Sequence, residues 1–268
     1  MFVKYICVVG FLLFTLSAYG QSFEEYRNLL RKVDTLLSFN DHDLSAEYTI
    51  RRVDPGGSVS TTVATVFRRD RRDQFTILIL EPLRDRGKGY FRSGDNLWLF
   101  DPVSGGYTLT SARERFQNSS ARNSDFYKSS YYEDYNVVSV RREMLGRFNC
   151  TVLDLRARHD RVSFPKVRLW ICENNLVRKR KDFSLSGQLL RTTAIPSYQQ
   201  VGNSWLPGSS ARADGTFPPS ITIIDHLVFR DIAGRRVFER TEITITQPSL
   251  RPQPDILFTK EFLERARN

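Results

Sequence analysis

The chain has 268 residues, 40% hydrophobic and 26% charged, with 40 Lys and Arg against 30 Asp and Glu, a formal net charge of +10. That length suits one large domain or two small ones, with enough chain to bury a real core. Past the first twenty residues no stretch is apolar enough to cross a bilayer as a helix, and none of the three histidines has a histidine or cysteine at ligand spacing, which argues against a polytopic membrane protein and a zinc or iron site.

Lys4 precedes an apolar run from Tyr5 to Leu16, followed by Ser17-Ala18-Tyr19-Gly20. A charged start, a short apolar stretch and a small-x-small site predict a signal peptide over residues 1–20, cut after Gly20. The alternative is a membrane anchor, for which the run is too short, since spanning takes roughly 20 residues. The mature chain, 21–268, is then expected to be one exported, periplasmic domain. Its basic residues are spread along the chain. The densest runs are Arg68-Arg69-Asp70-Arg71-Arg72 and Arg178-Lys179-Arg180-Lys181, both read as turns or solvated faces. A basic surface suits anionic lipid headgroups. Nucleic acid is not expected as a partner.

Ser22 and Glu25 form a capping-box pattern, and Phe23, Tyr26, Leu30, Val33 and Leu37 recur at helical spacing. This predicts an amphipathic helix of about four turns, ending at Asn40-Asp41. Leu44, Ala46, Tyr48 and Ile50 then alternate with Ser45, Glu47, Thr49 and Arg51, as in a half-buried strand. Asp54-Pro55-Gly56-Gly57 is a turn, and Val59–Phe67 and Gln74–Leu80 are further strands. Gly94-Asp95-Asn96 turns the chain before Leu97-Trp98-Leu99-Phe100, and Pro102 ends that strand because it has no N–H to give. Residues 113–135 are polar and tyrosine-rich, read as short helical turns in a long connection. Strands resume at Val137 and continue through 188–198, 204–211, 221–229 and 237–245. Pro248, Pro252 and Pro254 mark a tail, with Thr259 placed to cap a last turn carrying Phe262 and Leu263.

Cys150 and Cys172 remain after the cut, an even number for an oxidising compartment. A hairpin centred near Arg161 sets Cys150 against Cys172. It also sets Leu153 against Leu169, Leu155 against Val167 and Asp154 against Arg168. Agreement of the cysteine, apolar and ionic pairs in one register predicts a cross-strand disulfide over two free thiols.

The elements amount to a mainly β (α+β) chain: a large antiparallel sheet, curling as large sheets do, with too few helices to cover one face. Four pieces carry a likeness in their order and spacing: Arg86-Gly87 through Tyr90, Gly94 through Pro102, Asn123-Ser124-Asp125-Phe126 and Tyr132-Glu133-Asp134. Together they resemble the outer-membrane lipoprotein-sorting family, periplasmic carriers of lipoproteins and lipids. The resemblance implies an unclosed β-barrel, with the N-terminal helix and short helices covering a concave apolar face that holds acyl chains. It implies lipoprotein acyl chains or phospholipid as cargo, no cofactor, and an inner-membrane transporter and outer-membrane acceptor as partners. This chain is longer, more basic and carries a cysteine pair, which leaves the cargo open. An envelope module that binds a protein or peptide is the alternative.

No catalytic constellation emerges. Gly202-Asn203-Ser204-Trp205-Leu206 lacks the last glycine of a nucleophile elbow, and Gly87-Lys88-Gly89 lacks the rest of a phosphate loop. His226 reads as a surface residue. Asp125, Glu133 and Asp134 read as helix caps rather than an acid/base pair. The expected cavity wall is Phe75, Ile77, Ile79, Tyr90, Trp98 and Phe100, under a lid of Phe126, Tyr127, Tyr131 and Tyr132, with Trp98 reporting on the ligand. The opposite parity, with Leu78, Leu80, Leu97 and Leu99 inward, remains open because strands covered on both sides show little alternation.

Overall fold

The computed structural model describes residues 24–39, 41–201, 218–230 and 232–266. The proposed capping residue Ser22, the signal peptide and the expected 204–211 strand lie outside the described residues. Helix α1 spans residues 24–36. Thirteen strands follow: β1 (Leu44–Val53), β2 (Val59–Arg69), β3 (Gln74–Glu81), β4 (Gly89–Ser93), β5 (Asn96–Asp101), β6 (Gly106–Thr110), β7 (Tyr135–Leu145), β8 (Phe148–Ala157), β9 (Lys166–Ile171), β10 (Val177–Phe183), β11 (Leu189–Tyr198), β12 (Pro219–Arg230) and β13 (Arg236–Ser249). Helix α2 is Tyr131–Asp134, and α3, Lys260–Arg265, closes the chain.

All thirteen strands join one antiparallel sheet, ordered β6-β5-β4-β3-β2-β1-β13-β12-β11-β10-β9-β8-β7. Every neighbour is also a chain neighbour, except at the β1–β13 seam. The sheet is not closed: β6 and β7 are its two edges. The segment joining them, residues 111–134, must therefore travel from one edge to the other. It does so across one face, called inner here, and contains the short helical turns expected of it.

Two apolar clusters fill the inner face. Tyr48, Ile50, Ala64, Val66, Phe75, Ile77, Ile79 and Leu97 form the first, with Phe116, Ala121 and Phe126 of the crossing segment packed on it. Helix α1 makes the second by laying Leu30 and Val33, both almost fully buried, onto Leu153, Leu155, Val167 and Leu169. Burying each of these two side chains stabilises by about 1.5–3 kcal/mol, more than helix propensity supplies. The outer face is also covered in places. Helix α3 seats Leu263 against Phe91 and Phe100. A Cβ at Gly89 would fall 2.3 Å from a Leu263 methyl, so the strand needs glycine there.

The β8–β9 register is the one read from the sequence: Leu153 opposes Leu169, Asp154 opposes Arg168 and Leu155 opposes Val167. Cys150 and Cys172 are bonded, with an S–S distance of 2.01 Å. The disulfide packs with Val152 and Trp170, on the other side of the sheet from Leu153 and Leu169.

Both basic runs depart in part from the expectation of turns or solvated faces: Asp70–Arg72 is a turn with Arg71 and Arg72 exposed, but other members of each run face inward or are buried. Arg68, Arg69 and Asp70 are buried. Arg69 donates to Asp43, to Asp255 and to the Gln253 carbonyl, with its guanidinium 4.0 Å over Phe258. It thus ties the C-terminal tail to β2. In the second run Arg180 points inward, because every other residue of β10 must face the inner side. Paired ions can be buried in this way, whereas lone ones cannot.

Candidate functional site

Between the two clusters lies a cavity of about 480 Å³. Its floor comes from adjacent strands: Tyr48 of β1, Ile243 and Ile245 of β13, Ile224 of β12, Thr193 and Ile195 of β11, and Val177 of β10. Phe126, Tyr127 and Tyr131 of the crossing segment roof it, and Leu37 and Phe39 after α1 close one side. Phe126 rests on Tyr48 at 5.9 Å between ring centroids, and Tyr127 on Phe75 at 5.5 Å.

Charged groups run through the inner face beside this floor. In the sheet register, Arg191 stands opposite Asp182 on one side and His226 on the other, and His226 opposes Glu239. Arg191, 1% exposed, donates from Nε to Asp182 at 2.5 Å and from both Nη atoms to Asp125 at 2.6 and 2.7 Å. Asp182 also accepts from Arg180 Nε, and Arg180 Nη1 donates to the Tyr131 hydroxyl at 3.1 Å. Burial pushes the Asp125 carboxyl up, but the Arg191 guanidinium outweighs it and holds the group below the usual carboxylate range. Asp125 also caps its own helical turn by accepting from the Arg122 N–H, as expected of a capping residue, while Arg191 fastens that turn to β11.

A second fastening comes from helix α1. Asp34 accepts from the backbone N–H groups of Tyr131 and Tyr132 and from the Ser129 hydroxyl, and so caps α2. Burial is the main cause that raises its pKa. Arg31 reaches the Tyr132 hydroxyl at 2.5 Å, and its guanidinium lies 4.2 Å over that ring. A third fastening is Ser120, whose N–H donates to Thr241 and whose hydroxyl donates to Glu239.

The structure distributes the expected site residues over four environments. Phe75, Ile77, Ile79 and Tyr90 share the inner face but are packed core beneath the crossing segment, outside the cavity lining. Phe126, Tyr127 and Tyr131 form the roof, whereas Tyr132 turns aside onto α1. Trp98 and Phe100 correct the expected shared face: they lie on the outer side with Phe91, Leu78 and Leu263. The two-residue turn at Gly94-Asp95 pairs Trp98 with Phe91 and Leu99 with Tyr90, so Leu97 and Leu99 take the inner side. The opposite parity fails too, since Leu78 is outward. Lys260 sits 4.3 Å over the Trp98 ring, so Trp98 reports on α3 and not on the cavity. His226 is also corrected: it is half-buried on the inner face, its pKa lowered first by burial and then by Arg115, Arg122 and Arg191.

Arg180, Arg191, Asp182 and Asp34 were not legible as site residues. The one available signal was the alternation of Arg180 and Asp182 inside a strand whose neighbours are apolar. Among the described residues no group of three or more His, Cys, Asp or Glu is placed to hold a metal. None of their helices is long and apolar enough to cross a membrane.

A family model described as uncharacterized protein-like matches residues 71–265. No curated protein matches the chain. Among solved structures, a LolA superfamily protein from Nitrosomonas europaea is similar with a TM-score of 0.67 at 24% identity, over 88% of this chain and 97% of that one. A DUF1329 family protein from Desulfovibrio piger is similar with a TM-score of 0.73 at 14% identity, over 90% and 98%. A putative outer membrane lipoprotein-sorting protein domain from Vibrio parahaemolyticus is similar with a TM-score of 0.69 at 15% identity, over 88% and 98%. At these identities the likeness concerns the fold.

Proposed function

This chain belongs to the uncharacterized protein-like family whose model spans residues 71–265 and has the LolA-like fold, and on that premise we propose that it is an exported carrier of acyl chains. The observation that carries the reading is the inner-face cavity, with a floor rich in isoleucine and an aromatic roof that three separate fastenings hold in place. Its volume lies within the roughly 300–1,000 Å³ usual for small-molecule sites. Burial in it is worth about 0.8 kcal/mol per methylene, so a chain is held without any bond being made. Release then requires a membrane acceptor or movement of the crossing segment. Lipoprotein acyl chains or phospholipid are the cargo in this reading, handed between an inner-membrane transporter and an outer-membrane acceptor.

Export rests on Lys4, the apolar run to Leu16 and a cut after Gly20, and the Cys150–Cys172 disulfide agrees with an oxidising periplasm. The basic surface suits docking to anionic membranes. A second reading, an envelope module for a peptide or partner protein, draws on the polar share of the cavity lining: Arg68, Arg92, Asp134 and His159. Mass spectrometry of material extracted from the purified protein separates the two. Co-purifying acyl chains support the carrier. An empty extract with a co-purifying polypeptide supports the module.

A further inference from the structure

Most cations that line the cavity are already matched by a carboxylate. Arg68 holds Asp70 at 2.8 Å, Lys128 holds Asp73 at 2.8 Å, and Arg180 and Arg191 share Asp182. Arg161 stands exposed in the β8–β9 turn. Arg92 differs from all of these. It projects from β4 onto the inner face beside Phe75, with its guanidinium 4.0 Å over the Tyr127 ring of the roof. Among the described residues no carboxylate pairs with it, and its Nε is shielded from solvent with no acceptor. The two Nη atoms also have no acceptor among the described residues, and Arg92 lines the cavity, so an anionic group there can satisfy them where the shielded Nε is out of reach. The stacked tyrosine presets the planar fork, which favours an oxyanion with two oxygens to offer.

The size of the cavity limits what can be attached to that oxyanion. The cavity, at about 480 Å³, sits in the lower half of the roughly 300–1,000 Å³ spanned by small-molecule sites. That is room for one acyl chain, not two or three. Tyr48, Ile224, Ile243 and Ile245 give this chain a largely apolar path across three strands.

We propose that the cavity takes a single-chain amphiphile with an anionic head, the head on Arg92 and the chain along the floor beneath Phe126. This rests on the carrier reading and narrows its cargo to an acid: a fatty carboxylate or a single-chain phosphate. Delipidated mature protein is titrated calorimetrically with hexadecanoate, hexadecyl phosphate and neutral hexadecanol, each below its aggregation limit. The wild type is expected to bind one equivalent of an anionic ligand about tenfold tighter than hexadecanol, the worth of one charge-assisted hydrogen bond. Whichever of the carboxylate and the phosphate binds tighter names the head. Arg92→Gln should erase the preference and leave hexadecanol binding in place, while Arg84→Gln, an exposed change away from the cavity, should keep it. Circular dichroism of Arg92→Gln confirms its fold. Equal affinity for acid and alcohol in the wild type, or an unchanged preference in folded Arg92→Gln, overturns the head assignment and leaves the carrier standing. Binding of two or more chains overturns the single-chain claim. Binding of none of the three ligands removes the carrier reading itself.

Discussion

Replacing Arg191 with Met should destabilise the protein severely, because the guanidinium joins three parts of the fold. It lies on β11, neutralises Asp182 on β10 and clamps Asp125 on the crossing segment. Arg191 is 1% exposed and Asp182 fully buried. After the change Asp182 still has Arg180, but Asp125 keeps only the Arg122 N–H and Coulombic attraction from Arg180. Breaking one side of a buried pair costs about 3–5 kcal/mol, since the stranded charge must stay desolvated. For a chain of this size that lowers Tm by about 6–20 °C. The double variant Arg191→Met/Asp125→Leu removes the stranded charge as well and should recover a large part of the loss. Urea unfolding of the wild type, both singles and the double gives the coupling energy directly. If Arg191→Met lies within about 1 kcal/mol of wild type, the value of a screened surface pair, the buried-network account is wrong. It is also wrong if the double variant is as unstable as the sum of its singles.

Reduction or Cys150→Ser/Cys172→Ser should cost about 3 kcal/mol, because the bond closes a loop with a sequence separation of 22; thiol labelling of the denatured, non-reduced protein should find neither of these cysteines reactive, and two reactive thiols there contradict the bond. Asp43 gives a pH dependence: burial raises its pKa, but hydrogen bonds from Arg69 and the Gln253 N–H outweigh this and bring it from 3.8 to about 2. A depressed folded pKa means the stabilisation is fully present above 3.8 and is lost as pH falls towards 2. Asp43→Asn should therefore be less stable at neutral pH by about 2 kcal/mol and show a flatter acid limb; parallel acid limbs for the two proteins contradict the assignment.

How much of this was readable in the sequence depended on how many constraints met at one position. The β8–β9 register was legible because apolar, ionic and cysteine pairs all required it. Helix α1 was legible because Leu30 and Val33 sit in a clean helical stripe. The β5 strand was not, since Leu97 and Leu99 face the crossing segment while Trp98 and Phe100 face α3. A strand covered on both sides loses the alternation that fixes parity. The polar half of the cavity was hidden for another reason. Arg180 and Arg191 look like solvated basic residues until the chain between the two sheet edges brings Asp125 over them. That contact joins residues 66 positions apart, and no local pattern encodes it. The crossing segment is legible as a connection with short turns because it is polar and tyrosine-rich, and its aromatic residues Phe126, Tyr127 and Tyr131 do roof the cavity. Tyr132 leaves the roof because Arg27 and Arg31 of α1 draw its ring away.

In the proposed carrier an acyl chain lies on the inner face between β1, β13 and the crossing segment. Photolabelling tests it most directly. A hexadecanoate carrying a diazirine near its chain end is bound to the mature protein, irradiated, and the labelled peptides are mapped by mass spectrometry. Saturable labelling is expected on the cavity floor around Tyr48, Ile224 and Ile243 and on the roof around Phe126 and Tyr127, competed by unlabelled hexadecanoate. Labelling that does not saturate, or that concentrates on the outer face around Trp98 and Phe262, contradicts that placement.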